Sequence, residues 1–316
     1  MTEKAVAAVS AILAVNAVRL GIFLGACAVV CLLMLLVCYT LTKRLKVREV
    51  FADVKGVERD SGYARIGLVS DLHFPMFEAG RSRVLYALEK ADVDAVMIAG
   101  DLCQNSKGVG EMLDFMEFLA NGLPDKTVFV VLGNHDAHHA CGENEERIAD
   151  YCKKIESCGK NIRVLRNSIE RLPLEGLGGD LVVCGFDDMT VSNEDAQNGL
   201  FAKATDEMKA AREAGKGDRL VLLMHNPDIM ANIREAVEES GVCSLTLAGH
   251  THGGQIYMPL NLEFRLLRND DLPQKGYVYG LYDYCANNVL YITCGLGQSF
   301  LPIRLGTTPE VAIINF

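Results

Sequence analysis

Residues 245–255 read LTLAGHTHGGQ, an apolar run that ends in two histidines and two glycines. A core strand does not need histidines at its end, so the other apolar runs of the chain are the natural comparison. Four of them also end in polar residues: Asp71 and His73, Asp101, Asn134 to Asp136, and His225. Helix-like segments lie between the runs, near 80–91, 108–121, 143–157, 194–213 and 227–239. Strands that alternate with helices predict an α/β fold with a largely buried sheet.

The polar residues at the strand ends are expected to converge on one site. Ligands of open α/β sheets bind beyond the carboxyl ends of the strands, and five strand ends here carry Asp, Asn or His. The histidines support this interpretation, because all seven follow an apolar run directly or within a few residues: His73, His135, His138, His139, His225, His250 and His252. One such histidine is typical of an ordinary strand end, but the whole group favours a shared site.

The spacing of these residues indicates a metal site. Asp71 and His73, like His250 and His252, are two positions apart, and residues i and i+2 of an extended chain point the same way. Imidazole and carboxylate mixtures suit Mn²⁺, Fe and Zn²⁺ better than Mg²⁺ or Ca²⁺. The candidate ligands exceed the need of one ion and suit two ions about 3.5–4 Å apart that share a carboxylate: Asp71, His73, Asp101, Asn134, His225, His250 and His252. Such a pair of ions is typical of phosphate-ester hydrolysis.

Charge is distributed unevenly along the chain. Residues 1–48 contain six basic residues and one acidic residue, whereas the whole chain has a net charge of −10. The acidic remainder is a poor match for a nucleic-acid backbone, so no nucleic-acid partner is expected. The eleven cysteines are scattered and favour free thiols in a reducing compartment.

The N-terminal region predicts a membrane anchor. Leu20–Thr42 contains no charged residue over 23 positions, enough for a helix to span the hydrocarbon core of a bilayer. A cleaved signal peptide is the alternative, but its apolar region is usually shorter. The basic residues after the helix place the main domain in the cytoplasm, anchored to the cell membrane by a single pass. A hairpin that includes 5–18 stays open as a second topology.

The strand-end residues also carry a family resemblance. Five blocks occur in order between residues 65 and 252: Asp71-x-His73, Gly100-Asp101, Gly133-Asn134-His135-Asp136, His225 and Gly249-His250-x-His252. Together they resemble the signature of the calcineurin-like metallophosphoesterases. The resemblance implies a four-layer αββα sandwich over residues 49–316, preceded by the anchor in residues 1–48. Shorter strands near 276–284, 288–294 and 309–315 are expected to close the second sheet.

The same resemblance assigns roles to the residues. Asp71, His73 and His252 would hold one divalent metal ion, Asn134, His225 and His250 the other, and Asp101 would bridge them. His135 would face the scissile phosphate and protonate the leaving oxygen or stabilise charge, with Asp136 orienting it. Mn²⁺ is the favoured metal, with Fe or Zn²⁺ as alternatives.

The substrate is less closely defined than the centre. A phosphodiester or pyrophosphate bond in a phosphorylated small molecule or a lipid-linked compound is expected. GHTHGGQ and LPIRLGTTPEV resemble a bacterial, membrane-associated branch of the family, which leaves UDP-2,3-diacylglucosamine, a lipid A precursor, as one alternative substrate. Arg304 is a candidate ligand of the substrate phosphate, and a surface ion pair is the alternative interpretation. His138 and His139 either line the substrate entrance or lie on a loop without a functional role.

Two other function classes compete with the hydrolase. A membrane-anchored metal-binding scaffold without catalysis would usually lack ligands or the histidine of the Gly-Asn-His block, and this chain has all of them. A nuclease is disfavoured by the acidic body.

Overall fold

The computed structural model describes residues 3–55, 62–142, 144–174, 176–256, 258, 260, 262–266 and 268–316, and only the backbone of residues 3–12. Two six-stranded sheets pack face to face, and helices cover the outer face of each sheet. This arrangement confirms the predicted four-layer αββα sandwich.

The first sheet has the strand order β1-β12-β2-β3-β4-β5. Its strands are β1 (Lys46–Phe51), β2 (Arg65–Val69), β3 (Ala95–Ala99), β4 (Thr127–Val131), β5 (Ile162–Val164) and β12 (Glu310–Asn315). β2 to β5 are parallel. Its outer face is covered by α2 (Arg81–Ala91), α3 (Val109–Gly122) and α4 (Glu145–Ser157). A 3₁₀ turn (Ser106–Gly108) precedes α3, and a π-helical turn (Asp136–Cys141) precedes α4.

The second sheet has the order β10-β11-β9-β8-β7-β6. Its strands are β6 (Ser168–Pro173), β7 (Asp180–Gly185), β8 (Arg219–Leu223), β9 (Ser244–Ala248), β10 (Gly280–Cys285) and β11 (Asn288–Ile292). β7, β8, β9 and β11 are parallel, and β6 and β10 are antiparallel edge strands. The helices of this half are α5 (Glu194–Glu213), α6 (Ile229–Asn232), α7 (Arg234–Ser240), α8 (Leu262–Leu266) and α9 (Asp271–Gln274).

Alternation along the buried strands builds the layers. In β3, Ala95 and Met97 face the second sheet, whereas Val96 and Ile98 face the helices. Both faces of the strand are therefore apolar, which explains why β3 reads as a continuous hydrophobic run. Each fully buried aliphatic side chain contributes about 1.5–3 kcal/mol to folding. The core thus holds the strands rigidly and leaves their carboxyl ends to carry polar residues.

One prediction about the strands is wrong. The strand near 309–315 does not belong to the second sheet, since β12 lies between β1 and β2 in the first. All six of its residues are buried, so its composition suits the interior of either sheet and does not identify its neighbours. β1 has the sequence KVREVF, in which adjacent charged and adjacent apolar residues break the alternation of a strand, so the sequence predicts only a basic segment after the anchor.

The N-terminal helix α1 runs without interruption from Glu3 to Thr42. Its part Leu13–Thr42 is long and apolar enough to cross a membrane, with a length of about 45 Å. Because the helix is continuous, the hairpin alternative is not adopted. The domain boundary at residue 48 stays a prediction, and β1 begins slightly before it, at Lys46.

Candidate metal centre

The polar strand ends of both sheets meet at one edge of the sandwich. β2, β3 and β4 of the first sheet and β8 and β9 of the second end directly before them. The loops are bonded to one another through their backbones: Asp71 N–H donates to Gly100 O at 3.0 Å, and Gly249 N–H donates to His225 O at 3.0 Å. Residues far apart in the chain therefore lie within one buried cluster.

One group of donor atoms lies around His73. Its Nε2 is 3.0 Å from Nε2 of His252 and 3.4 Å from Oδ2 of Asp101. Oδ1 of Asp71 lies 3.5 Å from Nε2 of His252. All four side chains are buried. Asp71, His73 and His252 are the residues predicted to hold the first metal, and Asp101 is the predicted bridge to the second.

A second group lies around His225. Its Nε2 is 3.1 Å from Oδ1 of Asn134, 3.1 Å from Nδ1 of His250 and 3.3 Å from Oδ2 of Asp101. Nδ1 of His225 is 2.8 Å from Ala99 O, which fixes its proton there and leaves Nε2 as the nitrogen for a cation. The same carboxylate oxygen of Asp101 faces both groups, as a bridging ligand requires.

The electrostatics of the centre favour positive charge. Burial raises the pKa of Asp101, but the charge of His225 and its hydrogen bond outweigh this and hold that pKa well below its usual value. Burial lowers the pKa of His73 to about 3, so the ring is neutral. Burial also lowers the pKa of His225, but Asp101 raises it to about 10. A divalent cation would take the place of the proton on His225.

The chemistry of the donors fits two divalent cations. Neutral imidazole nitrogens and carboxylate oxygens lie within 4.8 Å of one another in the groups Asp71, His73 and His252, and Asp71, Asp101 and His225. So many lone pairs repel one another at these distances unless cations or protons lie between them. Nitrogen and oxygen donors together suit Mn²⁺, Fe or Zn²⁺.

The backbone at the centre is strained. Of the nine non-glycine residues with positive φ in the described part of the chain, five belong to the predicted ligands: Asp71, His73, Asp101, His250 and His252. Such conformations cost roughly 1–3 kcal/mol each when the residue is not glycine, and they cluster at functional sites. The sandwich core supports this strain and aims the side chains inward.

Gly297 allows a close approach of the backbone to these loops. A Cβ at this position would lie 2.1 Å from Leu72 O and 2.8 Å from Asp71 O. The 294–297 segment is bonded there, since the N–H groups of Leu296 and Gly297 donate to Ser70 O and Asp71 O. This segment therefore buttresses the turn that presents Asp71 and His73.

Gly297→Ala is expected to lower the free energy of unfolding by about 1–3 kcal/mol, because the backbone must shift to admit the new methyl group. Metal affinity should fall with it, since the displaced turn carries Asp71. Denaturant unfolding and elemental analysis measure the two effects. Gly199→Ala in α5 is the control, as no described heavy atom lies within 4 Å of its Cβ. Two equally stable variants would contradict the expectation.

His135 borders the donor group around His73, since one of its ring nitrogens lies within 4.8 Å of donor atoms of His73 and Asp101. Its ring packs edge-on against His73, with 4.8 Å between centroids, and it is 7% exposed. Nδ1 lies 3.4 Å from Gln104 O, which assigns proton-transfer chemistry to Nε2. Burial lowers the pKa of His135, against the charge of Asp101. Gln104, which the sequence did not single out, is the group that orients this ring.

The prediction that Asp136 orients His135 is wrong. The Asp136 carboxylate is fully buried and accepts hydrogen bonds from the N–H groups of Leu102, Cys103 and Gly133 and from the Tyr151 hydroxyl. Burial, followed by the charge of Asp101, raises its pKa to about 7. Asp136 thus ties the loop of Asp101 to that of Asn134, which local sequence could not show because Tyr151 comes from α4.

The expected contact between Arg304 and a substrate phosphate is also wrong, as is the surface ion pair. Arg304 is fully buried, and its guanidinium donates to the backbone carbonyls of Cys294, at 2.9 Å, and Gly297. Burial lowers its pKa to about 10. Its charge therefore stabilises the 294–297 segment from inside the protein.

A different guanidinium lies beside the ligands. Arg268 is partly exposed, and its Nη2 is 2.8 Å from Nε2 of His250. Oδ1 of Asp270 lies 3.2 Å from the same nitrogen. Neither residue follows a strand, so no strand-end signal in the sequence pointed to them.

His138 and His139 lie on the π-helical turn after His135. His139 is exposed, and its ring centroid is 5.0 Å from that of His135, while His138 is half-buried. This placement is compatible with the entrance to the centre, and their contact with a substrate stays a prediction.

The chain is similar in sequence to phosphoesterases. A family model of calcineurin-like phosphoesterases matches residues 64–254. The uncharacterized metallophosphoesterase YkoQ of Bacillus subtilis is 25% identical over 276 residues, which cover 85% of this chain and 90% of that protein. A transmembrane protein with metallophosphoesterase domain from Danio rerio is 26% identical over 273 residues, covering 85% of this chain and 56% of that protein.

Among solved structures, a dimetal phosphatase from Danio rerio superposes with a TM-score of 0.44 and 10% identity, covering 76% of this chain and 90% of that one. The chain spans only 52% and 59% of the length of two further curated relatives, from Caenorhabditis elegans and Helicobacter pylori.

Proposed function

The chain belongs to the calcineurin-like phosphoesterase family, and from this premise we propose that it hydrolyses a phosphodiester or pyrophosphate bond with the help of two divalent cations. The observation that carries the proposal is the position of Asp101. Its Oδ2 lies 3.4 Å from His73 Nε2 and 3.3 Å from His225 Nε2. One carboxylate oxygen between two groups of donors is the arrangement that a dinuclear centre needs.

Each residue group has a separate task in this proposal. Asp71, His73 and His252 hold one cation, Asn134, His225 and His250 hold the other, and Asp101 holds both. When bound, the cations supply Lewis-acid stabilisation of the phosphoryl oxygens and lower the pKa of water. The buried, strained loops keep the ligands in one geometry, so little reorganisation is needed during the reaction.

His135 supplies acid catalysis. The Gln104 backbone carbonyl accepts from Nδ1–H, and the ring, when protonated on both nitrogens, donates the Nε2 proton to the oxygen of the leaving group as the P–O bond breaks and returns to its neutral form. Proton transfer by a positioned side chain contributes about 10²–10⁴-fold to rate. Gln104 acts as a positioning residue, because it touches the ring and not the substrate.

The donor atoms support Mn²⁺ as the native metal. Five of the predicted ligands would contribute imidazole nitrogen or an amide oxygen and two contribute carboxylates, which favours Mn²⁺ over Mg²⁺, with Fe or Zn²⁺ as alternatives. Elemental analysis of protein purified without added metal identifies the ion.

The helix α1 supports a membrane location for the protein. Leu13–Thr42 is long and apolar enough to span a bilayer, and the Danio rerio relative is named a transmembrane protein. A single pass with the phosphoesterase domain on the cytoplasmic side agrees with the basic residues after the helix. Protease digestion of intact cells, which should spare the domain, tests this orientation.

The decisive assay uses full-length protein with bis-p-nitrophenyl phosphate and added Mn²⁺, Fe²⁺ or Zn²⁺. Hydrolysis that disappears with a chelator and returns with metal is the expected result. UDP-2,3-diacylglucosamine is the second substrate to be assayed, because the sequence analysis leaves this pyrophosphate compound as an alternative substrate. Stoichiometric metal without turnover of either compound would overturn the proposal in favour of a binding scaffold.

A further inference from the structure

The helix α1 joins the domain at the edge that carries the candidate centre. β1 starts at Lys46, which pairs with Glu310 at the start of β12. β12 runs antiparallel to β2, so its start lies at the end of β2 that leads to Asp71. The backbone N–H of Glu310 donates to Gly295 O, in the segment that buttresses the Asp71 turn. The last turn of α1 and the centre therefore share one edge of the sandwich.

The end of α1 is also fixed to the domain. Cys38 and Thr42 are buried, at 5% and 0% exposure, although most of the helix before them is exposed. The Cys38 carbonyl accepts from the Arg304 N–H at 3.4 Å, and the Lys43 carbonyl accepts from the Arg83 guanidinium at 2.6 Å. A spanning helix ends near the lipid–water boundary. These contacts hold the catalytic edge close to that boundary.

The same edge carries an apolar surface, which we call the apolar rim. Its members come from 258–266 and 299–305: Met258, Leu260, Leu262, Leu266, Phe300, Leu301 and Leu305. Gln255 joins the two segments, because its side-chain amide donates to the carbonyls of Ser299, Leu301 and Ile303. Ile256 and Leu305 also form a parallel bridge.

Three residues of the rim are more exposed than any large apolar side chain in the described part of α1. Phe300, Leu260 and Leu266 are 82%, 77% and 73% exposed, the three highest values for large apolar side chains in the described residues. Ile22, the most exposed in α1, reaches 69%. Moving such side chains out of water is favourable, so this surface favours an apolar environment.

Backbone strain reinforces this reading at two positions. Leu260 and Phe300 adopt φ values of 62° and 60°, a region that bulky residues rarely occupy. Strain of this kind points to a functional constraint. Both side chains are held outward, at 77% and 82% exposure, where insertion into lipid would supply apolar contacts.

The rim borders the reacting groups and has positive charge at its side. The Phe300 ring centroid lies 6.1 Å from that of His135. Lys43, Arg44 and Arg83 are exposed around the end of α1, although Glu78 lies 3.9 Å from Lys43. Basic residues beside a membrane helix attract anionic lipid headgroups.

We propose that the apolar rim inserts into the leaflet at which α1 ends, so that the catalytic edge faces the membrane and acts on the phosphate of a lipid headgroup. The docking follows from the position of α1 and the exposed side chains alone. The lipid substrate rests in addition on the proposed phosphoesterase function.

The docking is testable by fluorescence, because the chain contains no tryptophan. Phe300→Trp places a single fluorophore in the rim. Tyr63→Trp is the matched control: Tyr63 is 40% exposed and precedes β2, at the opposite edge of the sandwich. Both full-length variants are reconstituted in vesicles of phosphatidylcholine and phosphatidylglycerol, with and without bromine-labelled acyl chains.

Blue-shifted emission and quenching by the brominated lipid are expected for Phe300→Trp and not for Tyr63→Trp. Equal quenching of the two, or none for Phe300→Trp, would overturn the docking. Emission that shifts with protein density but not with bromine would assign the rim to a second copy of the chain and would also overturn it.

The lipid substrate is tested by inhibition of bis-p-nitrophenyl phosphate hydrolysis. Phosphatidic acid in the same vesicles should inhibit at a bulk concentration roughly tenfold or more below that of soluble glycerol 3-phosphate, because confinement raises its local concentration. Leu266→Gln should reduce the difference between the inhibitory concentrations of the two compounds. Inhibition by glycerol 3-phosphate itself should not change. Equal inhibition by both compounds in the unaltered protein would exclude a lipid headgroup. Absent hydrolysis would refute the proposed function and leave the fluorescence result standing.

Discussion

Asp101→Asn is expected to strip metal from the protein and to lower turnover by about 10³-fold, equivalent to roughly 4 kcal/mol of transition-state stabilisation. Oδ2 of Asp101 faces both donor groups, and the amide removes the negative charge shared by the two cations. The backbone N–H of His135 donates to Oδ1 of Asp101 at 2.9 Å. The amide oxygen of Asn can accept the same hydrogen bond in the variant. Elemental analysis and bis-p-nitrophenyl phosphate turnover measure the two losses.

Asp92→Asn is the matched control for this substitution. Asp92 also has positive φ, 48° against 52° at Asp101, and Asn tolerates that region as well as Asp. Its side chain is 85% exposed and pairs with Lys126 at the surface, an interaction worth at most about 1 kcal/mol. Normal metal content in Asp101→Asn would refute the bridging role.

His135→Ala is expected to retain both metal ions and to lower turnover by about 10²-fold or more, because it removes a proton donor and not a ligand. The ring lies beside the cluster and packs against His73, so the ligands keep their own partners. Comparing metal content with turnover separates this variant from Asp101→Asn. Loss of metal in His135→Ala would instead make His135 a ligand.

The leaving group gives a second readout for His135. If Nε2 protonates the departing oxygen, the loss should be smaller for a p-nitrophenyl ester, whose leaving group needs little protonation, than for an alkyl ester. If His135 only stabilises charge on the phosphate, the two losses should be equal. Full activity of the variant on the alkyl ester would exclude both roles.

The residues of the centre could be identified before any coordinates. Asp71, His73, Asp101, Asn134, His225, His250 and His252 all follow apolar runs, and the carboxyl ends of parallel strands lie at the same edge of their sheet. Alternation with helices likewise predicts the layers. Both signals are local, since they depend on periods of a few residues and on the position of a residue after a strand.

The errors concern residues whose roles depend on distant partners. Arg304 looks like a phosphate ligand until the 294–297 segment folds over it, and Asp136 looks like a partner of His135 until Tyr151 and Leu102 reach its carboxylate. β12 has the composition of any buried strand, so its place between β1 and β2 depends on which edges remain unpaired after the other strands assemble.

The chain alone predicts the chemistry of the candidate centre, because the types of the candidate ligands and their spacing can be read from the order of its residues. It does not specify how the two sheets bring those residues together. Oδ2 of Asp101 lies between both donor groups because β3 and β8 come from different sheets that pack face to face. In the same way, Phe300 lies near His135, and Cys38 at the end of α1 contacts Arg304, through contacts between segments more than a hundred residues apart.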